Sequence, residues 1–299
     1  MRASGTTWEI DAAAAPKPRP RSELLMRLLQ PPATAGVRVL ARLGVDPQAV
    51  VWSHSALGAA AAVAIAVGGQ GAWWTAAVLL QGKTLLDNMD GGLARATGRV
   101  TQMGRYLDTV LDTLVNAALF AALALHGPGL WGWPLAAGAF LLLMAMLSLD
   151  FNLERRYRAL RDGVPDDGEH PPGASERWLA AFRGFYEAVL RPQDELVARL
   201  DAAAFERLVS GRAPARMASG HADARPEAAP LVDRLAWNDL WSTATLVNLG
   251  LSTQLLVLGV CLAVGQPFAY VVAVYLMAAY TLLVQALRAL RFVRHLRGA

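Results

Sequence analysis

The segment from Leu86 to Asn116, LDNMDGGLARATGRVTQMGRYLDTVLDTLVN, places acidic side chains inside two hydrophobic stretches of the chain. These acidic residues are Asp87, Asp90, Asp108 and Asp112. One acidic residue at the centre of a membrane helix costs about 2.5–3.5 kcal/mol, so four without partners would cost on the order of 10 kcal/mol. A compensating charge is therefore needed, and bound divalent cations provide it most directly.

The spacing of the aspartates places them on two helix faces. The first two are three residues apart and the last two are four residues apart, so each pair shares one face of a helix. Two helices joined by a short turn, over about residues 94–102, would bring the pairs together. Four carboxylates in one pocket form a hard-oxygen site suited to Mg²⁺ or Mn²⁺, and two ions are expected.

The residues between the two acidic pairs suit a phosphate group. Gly91 and Gly92 lack side chains where a ligand must approach the backbone closely. Arg95 offers a forked donor for diphosphate oxygens, and Gly104 precedes Asp108 by about one helical turn. Carboxylates, metal ions and an arginine around a glycine gap indicate a diphosphate site at the boundary of a membrane.

The composition of the whole chain indicates a membrane protein. Of its 299 residues, 55% are hydrophobic and 17% are charged, whereas soluble domains average about 45–50% and about 25%. The single cysteine, Cys261, lies in an apolar run, which excludes a disulfide-stabilised secreted scaffold. The formal net charge of +4 fits membrane topology and contact with anionic lipids, and no nucleic-acid partner is expected.

Six segments are candidate membrane spans, because crossing the hydrocarbon core takes roughly 20 largely apolar residues. They cover about residues 50–69, 72–92, 103–125, 132–151, 238–263 and 267–290. If six spans alternate in direction, every arginine-rich connection falls on one side, as the positive-inside bias requires. Both termini, the long insert and the acidic cluster are therefore expected on the cytoplasmic side.

The predicted fold is all-α: a six-transmembrane-helix bundle with an N-terminal interfacial amphipathic helix and a helical cytoplasmic insert between the fourth and fifth spans. Pro31-Pro32 are expected to break the amphipathic helix, and its packing on protein instead of lipid is the alternative. The predicted divisions are a disordered tail at 1–20, the interfacial helix at 21–46, four spans at 47–151 with the acidic motif at 87–112, the insert at 152–235 and two spans at 236–299.

The acidic segment resembles a family signature. The pattern Asp87-x2-Asp90-Gly91-x2-Ala94-Arg95-x8-Gly104-x3-Asp108-x3-Asp112 matches that of the CDP-alcohol phosphotransferases at all eight specified positions. The resemblance implies that Asp87, Asp90 and Asp108 hold the metal ions. It also implies that Asp112 is a further ligand and the catalytic base that takes the proton from the acceptor hydroxyl.

The same resemblance implies a set of residues that line the CDP moiety: Gly91, Ala94, Arg95, Thr101 and Gly104, with Arg95 on the diphosphate. Family members also contact the nucleotide through a Pro-Asn-x-x-Thr element ahead of the first span. This chain keeps Pro47 in that element but has Gln48 and Val51 in the other two places, so only the proline carries the expectation.

The resemblance implies a membrane transferase that makes a phospholipid. A CDP-linked donor, with CDP-diacylglycerol as the expected lipid, would pass its phosphatidyl group to an acceptor alcohol and release CMP. A homodimer in the bacterial cytoplasmic membrane is expected. Two alternatives stay open: an intramembrane Mg²⁺-dependent prenyltransferase, which would release pyrophosphate, and a divalent cation transporter, which would not need Arg95 and the glycines.

Polar residues outside the motif have more than one interpretation. Thr245, Asn248 and Ser252 follow one face of the fifth span and either line an acceptor pocket or form hydrogen bonds between helices. His54 is expected to be a buried, hydrogen-bonded histidine and not a ligand. Lys83 lies one turn before Asp87 and is expected either to form an ion pair or to contact phosphate.

Overall fold

The computed structural model describes residues 24–161, 170–211 and 229–298. All regular structure in these residues is helical, which confirms the predicted all-α fold. The predicted disordered tail at 1–20 lies outside the described residues.

Eleven α-helices occur in the described ranges. In chain order they are α1 Leu24–Leu43, α2 Pro47–Val67, α3 Gln70–Ala96, α4 Gln102–Ala124, α5 Gly132–Arg161, α6 Glu176–Phe185, α7 Arg191–Ser210, α8 Leu231–Trp237, α9 Leu240–Leu246, α10 Leu251–Ala263 and α11 Ala269–Gly298. Short 3-10 turns at Gly129–Trp131 and Val247–Leu249 precede α5 and α10, and a π-helical turn at Tyr186–Leu190 joins α6 to α7.

Five helical segments of the described chain are long and apolar enough to cross a membrane. They are Pro47–Val67, Gln102–Ala124, Gly129–Arg161, Leu231–Ala263 and Ala269–Gly298. Apolar side chains along them, such as Val63, Leu141 and Leu282, are more than half exposed, as lipid-facing side chains are. The predicted second span corresponds to α3, which is outside this group because its second half is charged, so the count of six spans stays a prediction.

Three helices, α2, α3 and α4, pack closely enough to bring their polar residues together. A side chain at Gly58 of α2 would collide with Val115 of α4 and lie 3.2 Å from the Lys83 side chain of α3. An apolar core of fully buried side chains continues from this crossing toward the other end of the helices. It includes Ile65, Leu80, Leu119 and Leu123.

Helix α1 runs through both prolines, so the predicted break at Pro31-Pro32 is wrong. Both prolines are exposed, while Val37 on the opposite face is buried against Met89 and Leu93 of α3. Packing on α3 therefore offsets the hydrogen bonds that the prolines cannot donate. One face of α1 therefore packs on protein, as the alternative interpretation of the sequence expected. The position of its exposed face at the membrane interface stays a prediction.

Helix α7 is fixed to the bundle by a buried charge network. Its Asp201 carboxylate forms ion pairs at 2.5 Å with Arg156 of α5 and with Arg288 of α11. The buried Arg288 also donates to the Trp237 carbonyl at 2.8 Å, and its guanidinium lies 4.0 Å from the centre of the Trp237 ring. Breaking such a network leaves a charge buried and unpaired, so it strongly favours this docked position of α7.

The chain at 170–173 crosses the N-terminal ends of α4 and α2. The first amides of α4, at Gln102 and Met103, donate to the carbonyls of residues 171 and 172 at 3.0 and 3.1 Å. The Gln48 side chain of α2 donates to the Gly173 carbonyl at 3.3 Å. The two backbone bonds satisfy amides that the N-terminus of α4 leaves free, and all three bonds hold the segment beside the acidic cluster.

We expect Gly58→Ala to destabilise the protein by about 1–3 kcal/mol, because the added methyl group overpacks the crossing of α2 with α4. Thermal unfolding in detergent measures the change. Gly82→Ala on α3 is the matched control, since its new methyl group would meet only Leu57 at an ordinary 3.4 Å. Equal unfolding temperatures for the two variants would contradict the close-packed crossing.

Candidate metal and nucleotide site

Four carboxylates converge where α2, α3 and α4 meet. Asp87 and Asp90 lie in the second half of α3, and Asp108 and Asp112 lie near the beginning of α4. Ligand atoms of Asp87, Asp108, Asp112 and His54 lie within 4.8 Å of one another. The Asp90 carboxylate is 3.3 Å from the same His54 ring. The short connection between α3 and α4 thus gathers both acidic pairs at one point.

His54 of α2 lies at the centre of the four carboxylates. Its Nε2 is 3.3 Å from Asp90, 3.6 Å from Asp108 and 3.9 Å from Asp87. Its Nδ1 is 3.8 Å from Asp112. The side chain is fully buried, and neither ring nitrogen forms a hydrogen bond. The expected burial of His54 is confirmed, whereas the expected hydrogen bond is absent.

Lys83 of α3 is the second basic residue in the cluster. Its ammonium group is fully buried and donates to Asp112 Oδ1 at 2.8 Å, and it lies 3.7 Å from Asp87. Of the two interpretations left open by the sequence, the structure contains the ion pair. Lys83 offsets one of the four partly buried negative charges, so the cluster still favours added positive charge.

The connection between α3 and α4 is built for close approach to a ligand. Thr101 caps α4, and its hydroxyl accepts a hydrogen bond from the Gly104 amide at 3.1 Å. The Gly91 amide donates to the Asp90 carboxylate. A side chain at Gly104 would lie 3.2 Å from the Thr101 hydroxyl oxygen, so a larger residue would narrow the space beside the aspartates.

A cavity of about 340 Å³ opens beside this connection. All six residues expected to line the CDP moiety border it: Pro47, Gly91, Ala94, Arg95, Thr101 and Gly104. Gln48 and Val51 border it as well, as do Asp90 and Asp108 from the acidic cluster. Arg99 and Arg105 add positive charge to its wall, which suits an anionic ligand.

A second cavity, of about 580 Å³, lies on the other side of the cluster between α4, α5 and the start of α7. Of the two cavities, Asp112 borders only the second and Asp90 only the first, whereas Asp108 borders both. Its other polar lining includes Asn116, Ser148, His170, Tyr186, Gln193 and Asp194. The acidic cluster therefore borders two neighbouring cavities, which share Arg105, Asp108 and His170 in their lining.

Tyr186 and Asp194 form the outer wall of the second cavity. Asp194 accepts hydrogen bonds from the Ser148 hydroxyl and, at 3.5 Å, from the Tyr186 hydroxyl. Burial, together with the nearby Asp194 carboxylate, raises the pKa of Tyr186 above its usual value. The phenol consequently stays protonated at neutral pH and remains a hydrogen-bond donor.

The polar residues of the fifth predicted span lie apart from the lining of the second cavity. Thr245 donates to the Trp241 carbonyl at 2.7 Å, and Asn248 donates to the Ala244 carbonyl at 3.1 Å. From the segment 240–263 only Leu251 borders the cavity. A role for Thr245, Asn248 and Ser252 in acceptor binding stays a prediction.

Comparison with known proteins identifies the same part of the chain. Residues 47–166 match the family model of the CDP-alcohol phosphatidyltransferases. A phosphatidylinositol phosphate synthase of Cutibacterium acnes is 37% identical over 94 residues, which are 30% of this chain and 44% of that protein. One of Mycobacteroides abscessus is 29% identical over 146 residues, 49% of this chain and 63% of that protein.

An archaeal protein gives a third match. The archaetidylinositol phosphate synthase of Pyrococcus horikoshii is 41% identical over 56 residues, which are 19% of this chain and 30% of that protein. In these three alignments the chain spans less than two thirds of the relative's length.

The region that matches the family model contains α2 to α5, and with them all four aspartates, His54 and Lys83. It also contains every residue expected to line the CDP moiety. The range that matches the family model thus contains the whole eight-position signature. The chain is an integral membrane protein whose residues 47–166 match the CDP-alcohol phosphatidyltransferase family.

Proposed function

We propose that this protein transfers a phosphatidyl group from a CDP-linked lipid, CDP-diacylglycerol in the first instance, to the hydroxyl of an acceptor alcohol and releases CMP. The observation that carries the proposal is that the aspartates border two different cavities. Asp90 faces the cavity with the nucleotide-type lining, Asp112 faces the second cavity, and Asp108 borders both. A donor in one cavity and an acceptor in the other would meet at the carboxylates.

The donor set fits divalent metal ions. Carboxylate oxygens are the preferred ligands of Mg²⁺ and Mn²⁺, and one Asp108 oxygen is buried without a hydrogen-bond partner. Asp87, Asp90, Asp108 and Asp112 would hold the ions, of which we expect two. When bound, Mg²⁺ or Mn²⁺ would neutralise the diphosphate and stabilise the departing CMP.

Residues on the nucleotide side would orient the donor. Arg95 and Arg99 provide positive charge along the first cavity, and the N-terminus of α4, capped by Thr101, adds a partial positive charge. Gly91 and Gly104 let the diphosphate approach the backbone. These groups would hold the reacting phosphorus against the cluster, which lowers the barrier chiefly by positioning.

Asp112 would act as the base on the acceptor side. The acceptor oxygen loses its proton to Asp112 as it attacks the phosphorus that carries the lipid, and the bond from that phosphorus to the CMP oxygen breaks. Lys83 is a positioning residue in this scheme, because its ammonium group fixes one Asp112 oxygen at 2.8 Å. Asp112 is a weak base for an alcohol, and cations held by the neighbouring aspartates would supply the positive charge that makes the proton transfer effective.

We propose a polyol of the inositol type as the acceptor. Carboxylate, amide and hydroxyl groups of the second cavity can pair with several hydroxyls at once, among them Asn116, Ser148, Tyr186, Gln193 and Asp194. Arg105 and His170 also border it and would serve a phosphate on the polyol. The names of the relatives from Cutibacterium acnes and Mycobacteroides abscessus support an inositol phosphate.

The proposed setting is a homodimer in a bacterial cytoplasmic membrane, with the reaction on the cytoplasmic side. Arginines cluster around the connection of α3 to α4, which carries the acidic site, and near the C-terminal ends of α5 and α11, at 95–105, 155–161 and 288–297. The positive-inside bias supports a cytoplasmic position for these ends.

Purified protein incubated with CDP-diacylglycerol, Mg²⁺ or Mn²⁺ and a panel of alcohols is expected to release CMP in equal amount to a new phospholipid. The panel contains inositol, inositol phosphate, glycerol phosphate and serine. Chromatography quantifies CMP, and mass spectrometry identifies the lipid. Absence of CMP from every mixture, with pyrophosphate released from a prenyl diphosphate instead, would favour the prenyltransferase and contradict the proposal.

We expect Asp112→Asn to reduce transfer by at least about 100-fold while the CDP-lipid still binds, because a general base contributes typically 10²–10⁴-fold. Asp87→Asn should also weaken metal binding. Asp239→Asn is the matched control, since Asp239 caps α9 and borders neither cavity. Near wild-type CMP release by Asp112→Asn would remove Asp112 as the base.

Ser148→Ala and Asp194→Asn should raise the acceptor KM several-fold with little change in the donor KM, because both residues border only the second cavity. Thr245→Ala and Asn248→Ala test the polar face of the fifth predicted span in the same assay. If only Thr245→Ala and Asn248→Ala raised the acceptor KM, the acceptor would bind beside the fifth predicted span and not in the second cavity.

A further inference from the structure

We infer that His54 is a ligand of the metal site, so that the site combines imidazole nitrogen with carboxylate oxygen and binds Mn²⁺ more tightly than Mg²⁺. The inference rests on the metal-binding part of the proposed function. It adds a residue from α2, outside the acidic signature on α3 and α4, and it adds a preference among metal ions.

The first argument is the position of the imidazole. Distances of 3.3–3.9 Å separate its two ring nitrogens from carboxylate oxygens of all four aspartates. Ligand atoms on opposite sides of a six-coordinate ion with bonds of 2.0–2.1 Å lie about 4.2 Å apart. One atom from each of His54, Asp87, Asp108 and Asp112 already lies within 4.8 Å of the others. A contraction of a few tenths of an ångström would allow all four to share one ion.

The second argument is the missing hydrogen bond. Both nitrogens of His54 are buried and have no hydrogen-bond partner, although burial of a polar group without one is costly. Three other basic side chains that are buried or partly buried do have hydrogen-bond partners. His126 contacts the Ile65 carbonyl at 2.7 Å, His295 contacts Asp233 at 3.0 Å and Lys83 contacts Asp112 at 2.8 Å. The His54 ring lies at ion-pair distance, 3.3–3.9 Å, from all four carboxylates and makes an aligned hydrogen bond with none of them.

The third argument is the rigidity of the segment that carries the ring. His54 lies one turn before Gly58, where a side chain would collide with Val115 and lie 3.2 Å from Lys83. At the N-terminus of α2, Asp46 accepts a hydrogen bond from the Gln48 amide at 2.8 Å. Val50 and Val51, about one turn before His54, are also buried. A ligand held this way loses little side-chain freedom when it binds an ion.

An imidazole ligand changes which ion the site favours. Mg²⁺ binds oxygen almost exclusively. Carboxylates suit Mn²⁺ as well, but Mn²⁺ begins the transition row whose later members, Fe, Ni, Cu and Zn, favour imidazole, so it accepts a nitrogen ligand more readily than Mg²⁺ does. Adding His54 to a carboxylate set should therefore raise the affinity for Mn²⁺, and more so for later ions of the row, without a comparable gain for Mg²⁺.

The direct test is pulsed electron paramagnetic resonance of the full chain in detergent with one equivalent of Mn²⁺. A nitrogen ligand produces ¹⁴N modulation of the electron spin echo, and [¹⁵N]histidine labelling changes it. We expect both in the wild type. We expect His54→Gln to lose the modulation and to weaken Mn²⁺ binding at least tenfold, with a smaller change for Mg²⁺ in competition. His170→Gln is the control, because His170 borders both cavities and should leave the modulation intact.

The wild-type spectrum decides the question even if His54→Gln fails to fold. Bound Mn²⁺ without ¹⁴N modulation would overturn the inference and leave His54 as an ion-pairing residue, while metal-dependent CMP release from the same sample would keep the proposed function. Modulation that survives in His54→Gln and disappears in His170→Gln would also overturn it. If the wild type binds no Mn²⁺ and shows no divalent-ion requirement, both the inference and the proposed metal site fail.

Discussion

Four carboxylates gathered inside an apolar helical bundle impose the constraint on which the rest of the structure depends. Their side chains are only 14–41% exposed, so their mutual repulsion and partial loss of hydration must be offset locally. Lys83 offsets one charge directly, and the remaining negative charge makes the crossing of α2, α3 and α4 a natural place for divalent cations.

The same constraint explains why the surrounding helices are built as they are. Gly58 allows α2 to lie close against α3 and α4, which brings His54 to the carboxylates. The charge network of Asp201, Arg156 and Arg288 fixes α7 against α5 and α11, so that the wall of the second cavity is held in place. Packing away from the aspartates thus shapes the spaces where two substrates would meet.

Local spacing was sufficient to predict much of the site. The intervals from Asp87 to Asp90 and from Asp108 to Asp112 each place two carboxylates on one helix face. Because the connection between the helices is short, the two faces lie close together. His54 was not found in this way, because its contact depends on how α2 crosses the other helices. A signal existed nonetheless: His54 lies seven residues after Pro47 on α2, and this interval places both on one helix face. The helix through Pro31 was also missed, since tertiary packing on α3 outweighs the local cost of proline.

The central claim, that these carboxylates share metal ions beside a cytidine nucleotide, is tested most directly by X-ray diffraction at the manganese absorption edge from crystals grown with Mn²⁺ and CDP. The account predicts anomalous density between α3 and α4, at metal-ligand distance from Asp87, Asp90 and Asp108, with the diphosphate on the Arg95 side. Anomalous density elsewhere, or carboxylates turned toward separate surfaces with CDP bound away from them, would contradict it.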